Sequence, residues 1–145
     1  MKKIFEIWIV GIMVLASLAF MLGPYSPVQV TDNASAAPYY SGVNRTWDAG
    51  SNGDASLPAN WDPVGVPATG DNITFDSTAY NCNWNVVVTL GDFSMLTGYT
   101  GTVTQTVSFG CVDWLLEQGV YTGNTNYVLT CEGNWTHISG TLTGS

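Results

Sequence analysis

A short phrase that returns about every twenty residues limits what this chain can fold into more than any other feature. Tyr99-Thr-Gly-Thr102, Tyr121-Thr-Gly-Asn124 and Leu142-Thr-Gly-Ser145 each close a segment that opens with a β-prone apolar run, at residues 86–90, 107–109 and 127–129. Cys111 and Cys131 follow the second and third runs at the same offset. A unit this short cannot bury its own apolar face, whereas stacked copies share one core. The expected fold is all-β: a short β-solenoid of about three coils, with equivalent positions above one another.

Composition agrees. Charged residues make up 10% of the chain and aromatics 12%, so the surface must draw on hydroxyls and amides, as β-proteins can. Three Lys plus Arg face eleven Asp plus Glu, a formal charge of -8. Lys2 and Lys3 lie at the extreme N-terminus, which leaves Arg45 as the one basic side chain of the remainder. A chain with so few cations cannot neutralise phosphates, and this excludes nucleic acid as a partner. An anionic lipid surface is excluded on the same ground.

Met1-Lys2-Lys3, an apolar run over residues 7–22 and the breakers Gly23-Pro24 have the layout of a secretory signal. Residues 1–36 are thus expected to be a leader that contains one N-terminal hydrophobic helix. They serve either as a signal peptide cut near Ala34-Ser-Ala36 or as a retained membrane anchor, since residues 4–22 are nearly long enough to span. Either outcome places the remainder outside the cell or on its surface. Asn33, Asn44, Asn72 and Asn134 each open an N-x-S/T sequon, which makes them glycosylation candidates in an exported chain.

Residues 37–79 read as a Trp/Gly/Pro-rich cap and entry strand. Thr46-Trp-Asp48 is followed by the loop Ala49-Gly-Ser-Asn-Gly-Asp54, then Asn60-Trp-Asp-Pro63, Val64-Gly-Val-Pro67 and Gly70-Asp-Asn-Ile-Thr-Phe75. The prolines forbid a helix and point to an extended connection over residues 63–70. This order of motifs, over residues 46–75, resembles the N-terminal entry segment of secreted β-helix and adhesin-like cell-surface proteins of bacteria and archaea. The resemblance implies coils behind the entry segment, a role in attachment or envelope structure, and no catalytic residue. Because the chain stops after about three coils, a solenoid truncated at its C-terminus is expected. Physics asks for a cap in any case, because a first coil exposes its edge and its interior. Trp47 and Trp61 supply large apolar plates for it, the other reading being a sugar-stacking platform.

Residues 80–145 are expected to hold the coils. Residues 85–90 predict a strand, and residues 102–109 another with a bend near Gln105, where the alternation slips. Trp114-Leu-Leu116 and residues 135–138 match as an inward ladder, and Gly98, Gly119 and Gly140 are among six glycines placed at corners. The edge after Ile138 is a template for another chain.

Chemistry is sparse. Cys111 and Cys131 fall at strand separation, to be joined as a disulfide or stacked as buried thiols, which leaves Cys82 alone. Three cysteines without C-x-x-C and a single histidine, His137, give no zinc set. His137 has no nucleophile at a recognised motif, and Asp48, Asn52 and Asp54 do not fit a calcium loop. No catalytic residue, metal or cofactor is expected. The function expected is that of an exported, non-enzymatic surface protein, a structural or adhesive solenoid segment whose partners are glycans, other surface proteins or another open edge. The alternatives are a carbohydrate-active β-helix enzyme fragment of lyase or glycosidase type, using acids such as Asp92, Asp113, Glu117 or Glu132, and a glycan-binding module with an exposed Trp.

Overall fold

Side chains alternate between buried and exposed, the period of an extended chain, through much of residues 42–144, which are those described by the computed structural model. The expected N-terminal helix, its cleavage site and Asn33 lie outside the described residues. Among the described residues twelve strands form: β1 Asn44–Trp47, β2 Gly53–Asp54, β3 Trp61–Asp62, β4 Asn72–Phe75, β5 Cys82–Trp84, β6 Thr89–Met95, β7 Thr102–Gln105, β8 Phe109–Leu116, β9 Val120–Thr122, β10 Leu129–Cys131, β11 Trp135–His137 and β12 Thr141–Thr143. A single 3-10 turn, Pro58–Asn60, accompanies them.

The strands stack in two columns. One runs β1, β4, β6, β8, with both β10 and β11 on β8, and the other runs β2, β5, β7, β9, β12. All these pairings are parallel, and β3, which lies antiparallel on β1, is the exception. Parallel neighbours joined through a crossover of about twenty residues make a β-solenoid. Three full coils occupy residues 89–105, 109–122 and 129–143, and two shorter layers, β1 with β2 and β4 with β5, precede them.

Each long strand carries a corner. In β6 Leu90 and Gly91 are buried in succession, as are Cys111 and Val112 in β8, so the alternation inverts there. The register skips the same place, from Leu90↔Cys111 to Asp92↔Asp113, and the last coil breaks there into β10 and β11. The section is therefore three-sided. Gly98, Gly119 and Gly140 stand one coil apart at another corner with φ of 116°, 85° and 79°, a region that side-chain-bearing residues rarely enter.

The interior is a set of ladders. Ile73, Phe93, Trp114 and Trp135 occupy one register position in successive layers, and Cys82, Val103, Tyr121 and Leu142 another. Phe93 and Trp114 stack at 4.7 Å and 2°, Trp114 and Trp135 at 4.8 Å and 6°. These are the spacings of the strands themselves, so stacked backbones place stacked rings without side-chain strain.

The strand predicted over residues 85–90 needs correction. Pairing stops at Trp84 and resumes at Thr89, and residues 85–88 round a corner with Val87 75% exposed. Three valines favour strand structure but residues 85–88 form no paired strand, and Val86 and Val88 still pack on the core. The bend expected near Gln105 falls just after it: Gln105 faces inward, 2% exposed, and its Nε2 donates to the Val107 carbonyl at 3.1 Å.

Candidate functional site at the open end

The two ends of the stack differ. At the N-terminal end Trp47 and Trp61 lie edge to face at 5.0 Å and 72°, each 1% exposed. Trp47 Nε1 donates to the Tyr80 carbonyl at 3.2 Å and Trp61 Nε1 to the Ala55 carbonyl at 2.8 Å. With both rings buried and both indoles bonded, this pair closes the core and offers no ring face to a sugar. Asn52 and Asp54 serve as staples between layers, accepting from Asn81 N and Asn83 Nδ2.

A second closure was not foreseen from the sequence. Arg45 stands in register with Ile73, at the head of the main ladder. Its Nε donates to Asp71 Oδ2 at 2.6 Å and its Nη1 to the Pro63 carbonyl at 2.9 Å. Asp71 also accepts from the backbone N–H groups of Val43 and Ala68. Burial alone would raise the Asp71 pKa, but the Arg45 bond, the Ala68 and Val43 N–H groups and the Arg45 charge together hold it below its ordinary 3.8. The sequence signal that could have found it is the standing of Arg45 as the one Lys or Arg beyond Lys2 and Lys3.

At the other end the same register positions are uncovered. Trp135 is 46% exposed although its ladder partner Trp114 is 1% exposed, and Leu142 is 44% exposed over a Tyr121 that is 2% exposed. Ile138 and Tyr127 are exposed beside them. A hollow of about 440 Å³ opens there, lined in part by Gln105, Tyr121, Tyr127, Leu129 and Leu142. His137 takes the position that Leu116 holds one coil earlier, and its Nε2 lies 3.4 Å from the Gly140 carbonyl. It thus belongs to the open end. Comparison with protein-family models, curated proteins and solved structures finds no match.

Two of the candidate acids, Asp113 and Glu117, bond between layers, whereas Glu132 is exposed. Asp113 Oδ1 accepts from Asn134 N at 2.7 Å and from Asn134 Nδ2, and Glu117 Oε2 accepts from Thr97 N at 3.1 Å. Asp92 stands in register over Asp113, and burial together with the Asp113 charge raises its pKa. Of the sequons, Asn72 has its amide engaged on both sides, donating to Asn44 Oδ1 and accepting from Asp92 N. Asn44 and Asn134 are exposed. Among the described residues no three His, Cys, Asp or Glu gather to hold a metal ion, and no helix is long and apolar enough to cross a membrane. Cys82, Cys111 and Cys131 are free thiols.

Proposed function

We propose that the chain is a structural or adhesive β-solenoid segment of an exported cell-surface protein, without enzymatic activity, and that its working surface is the open end, where another β-edge adds to β10, β11 and β12. The observation that carries this is the uncovered ladder: Trp135 and Leu142 lie half exposed on partners that are wholly buried. Export is supported by the leader pattern, and a surface role by the likeness of residues 46–75 to entry segments of adhesin-like proteins. Parallel edges take up further strands through backbone hydrogen bonds, with ladder side chains choosing the register.

Sedimentation of the chain over a range of concentrations tests the open end. The native chain is expected to associate, and a Trp135→Lys, Leu142→Lys double variant to remain monomeric with an unchanged β-type circular dichroism spectrum. A native chain that stays monomeric, or a double variant that associates equally, would overturn the assignment. Fractionation of cells expressing the chain with and without residues 1–36 tests export; material that remains cytoplasmic with its leader intact would refute it. The Asp92 and Asp113 pair favours a second reading, a glycosidase fragment. Turnover of a neutral glycan panel that is lost in Asp113→Asn would establish it.

A further inference from the structure

We infer that Cys111 and Cys131 are a redox-closed clamp that fastens the last coil to the one before it. Cys131 of β10 lies directly in register with Cys111 of β8. Adjacent strands are about 4.8 Å apart, inside the Cα range a disulfide accepts. Cys82 cannot compete, since it lies in the other sheet, in register with Val103.

The two thiols have unequal access, which sets the order of events. Cys111 is 0% exposed. Cys131 is only partly covered, and its Sγ lies 3.3 Å from the carbonyl oxygens of Val112 and Asn134. Closing the bridge requires Sγ to leave those carbonyls for Cys111. The oxidant is a low-molecular-weight disulfide such as oxidised glutathione. The Cys131 thiolate attacks one glutathione sulfur, forming a mixed disulfide and expelling a glutathione thiolate. The Cys111 thiolate then attacks Cys131 Sγ, forming the protein disulfide and expelling the second glutathione thiolate. Two protein thiols lose two protons and two electrons, and one glutathione disulfide becomes two thiols.

Burial foremost, then Cys131 beside it and the Asp113 and Asp92 carboxylates, push the Cys111 thiol up to about 12. In the mixed disulfide the Cys131 charge is gone but the burial remains, so the second step quickens as pH rises, because the thiolate is the nucleophile. The strands of the last coil are largely exposed along β11 and β12, so this coil has least to hold it. A covalent tie at β10 anchors the coil at its start while leaving the Trp135 and Leu142 edge free.

Formation of the bond in the cell rests on the exported location, but the test in vitro does not. The full chain is incubated with oxidised glutathione at mildly alkaline pH. Its free thiols, counted after denaturation, should fall from three to one, and peptide mapping should join Cys111 to Cys131. The melting temperature should rise by roughly 10 °C, for a closed loop of about twenty residues, and fall back with dithiothreitol. Cys82→Ser should leave bridge and shift intact. Cys131→Ser, at the partly exposed position, should remove both. Three remaining thiols, or glutathione retained on Cys131 with Cys111 still reduced, would overturn the clamp. A bridge that forms in vitro but is missing from chains recovered from cells would overturn export and leave the clamp standing.

Discussion

Arg45 is the one cation beyond Lys2 and Lys3, and the fold places it where a ladder of apolar side chains begins. Its side chain is 12% exposed and that of Asp71 5%, so each partner's charge depends on the other. Arg45→Met keeps the packing of the stem and strands the carboxylate, and it should destabilise the chain by about 2–4 kcal/mol at neutral pH, read by urea unfolding. The sign with pH follows from the depressed Asp71 value. The native pair contributes fully above the ordinary carboxylate pKa of 3.8 and is lost as pH falls through the lower folded value. The gap between native and Arg45→Met should therefore narrow in acid, where a stranded Asp71 can take a proton. A gap that is constant with pH would mean that Arg45 acts by packing alone. Gly119 offers a second check at this scale. Its φ is 85°, and an added Cβ would fall 2.8 Å from the Tyr99 ring, so Gly119→Ala should cost roughly 2–3 kcal/mol through strain and overlap together.

Coils are held by their ladders, and the ladder Phe93, Trp114, Trp135 weakens toward one end. Trp114 touches ring neighbours on both sides and Tyr121 edge-on at 4.7 Å, although its buried indole N–H finds no acceptor. Trp114→Ala should cost about 3–5 kcal/mol, as expected for a large buried aromatic. Trp135→Ala removes one stacked contact from a half-exposed ring and should cost only about 0.5–1.5 kcal/mol. Equal losses would mean that the last coil is as tightly held as the one before it. Amide exchange checks the same gradient, with slow exchange along β6 and β8 and faster exchange along β11 and β12. Much of this was legible in the sequence. The Thr-Gly phrases and the matched offsets of Cys111 and Cys131 disclosed the coil length, because a ladder needs like residues at like positions. The valines at 86–88 misled, because β-propensity describes extended backbone and is silent about whether a neighbour lies at hydrogen-bond distance. The corner inside β6 and β8 left no signal stronger than Gly91 and a one-residue slip, and the start of stacking at β1 was hidden because the first step, from Asn44 to Asn72, is 28 residues and departs from the later repeat.

At the scale of the whole molecule, one end is closed by Trp47, Trp61 and the Arg45 pair and the other presents an apolar edge on a chain of formal charge -8. Copies of so acidic a chain repel one another, while the edge between them attracts through apolar burial and strand pairing. The two terms respond oppositely to salt. Screening shortens the repulsion, with a Debye length of about 10 Å at 0.1 M falling to about 3 Å at 1 M, and leaves burial almost untouched. Association through the open end should accordingly strengthen several-fold as sodium chloride rises from about 0.05 M to about 0.5 M. It should strengthen again as pH is lowered toward the sequence pI of about 4.1, provided the melt shows the stack intact. Association driven by ion pairing would weaken with salt, and with Arg45 already bonded to Asp71 there is no other Lys or Arg among the described residues to supply it. Sedimentation at the two salt concentrations distinguishes these cases, and weaker association at the higher one would remove the apolar edge as its cause.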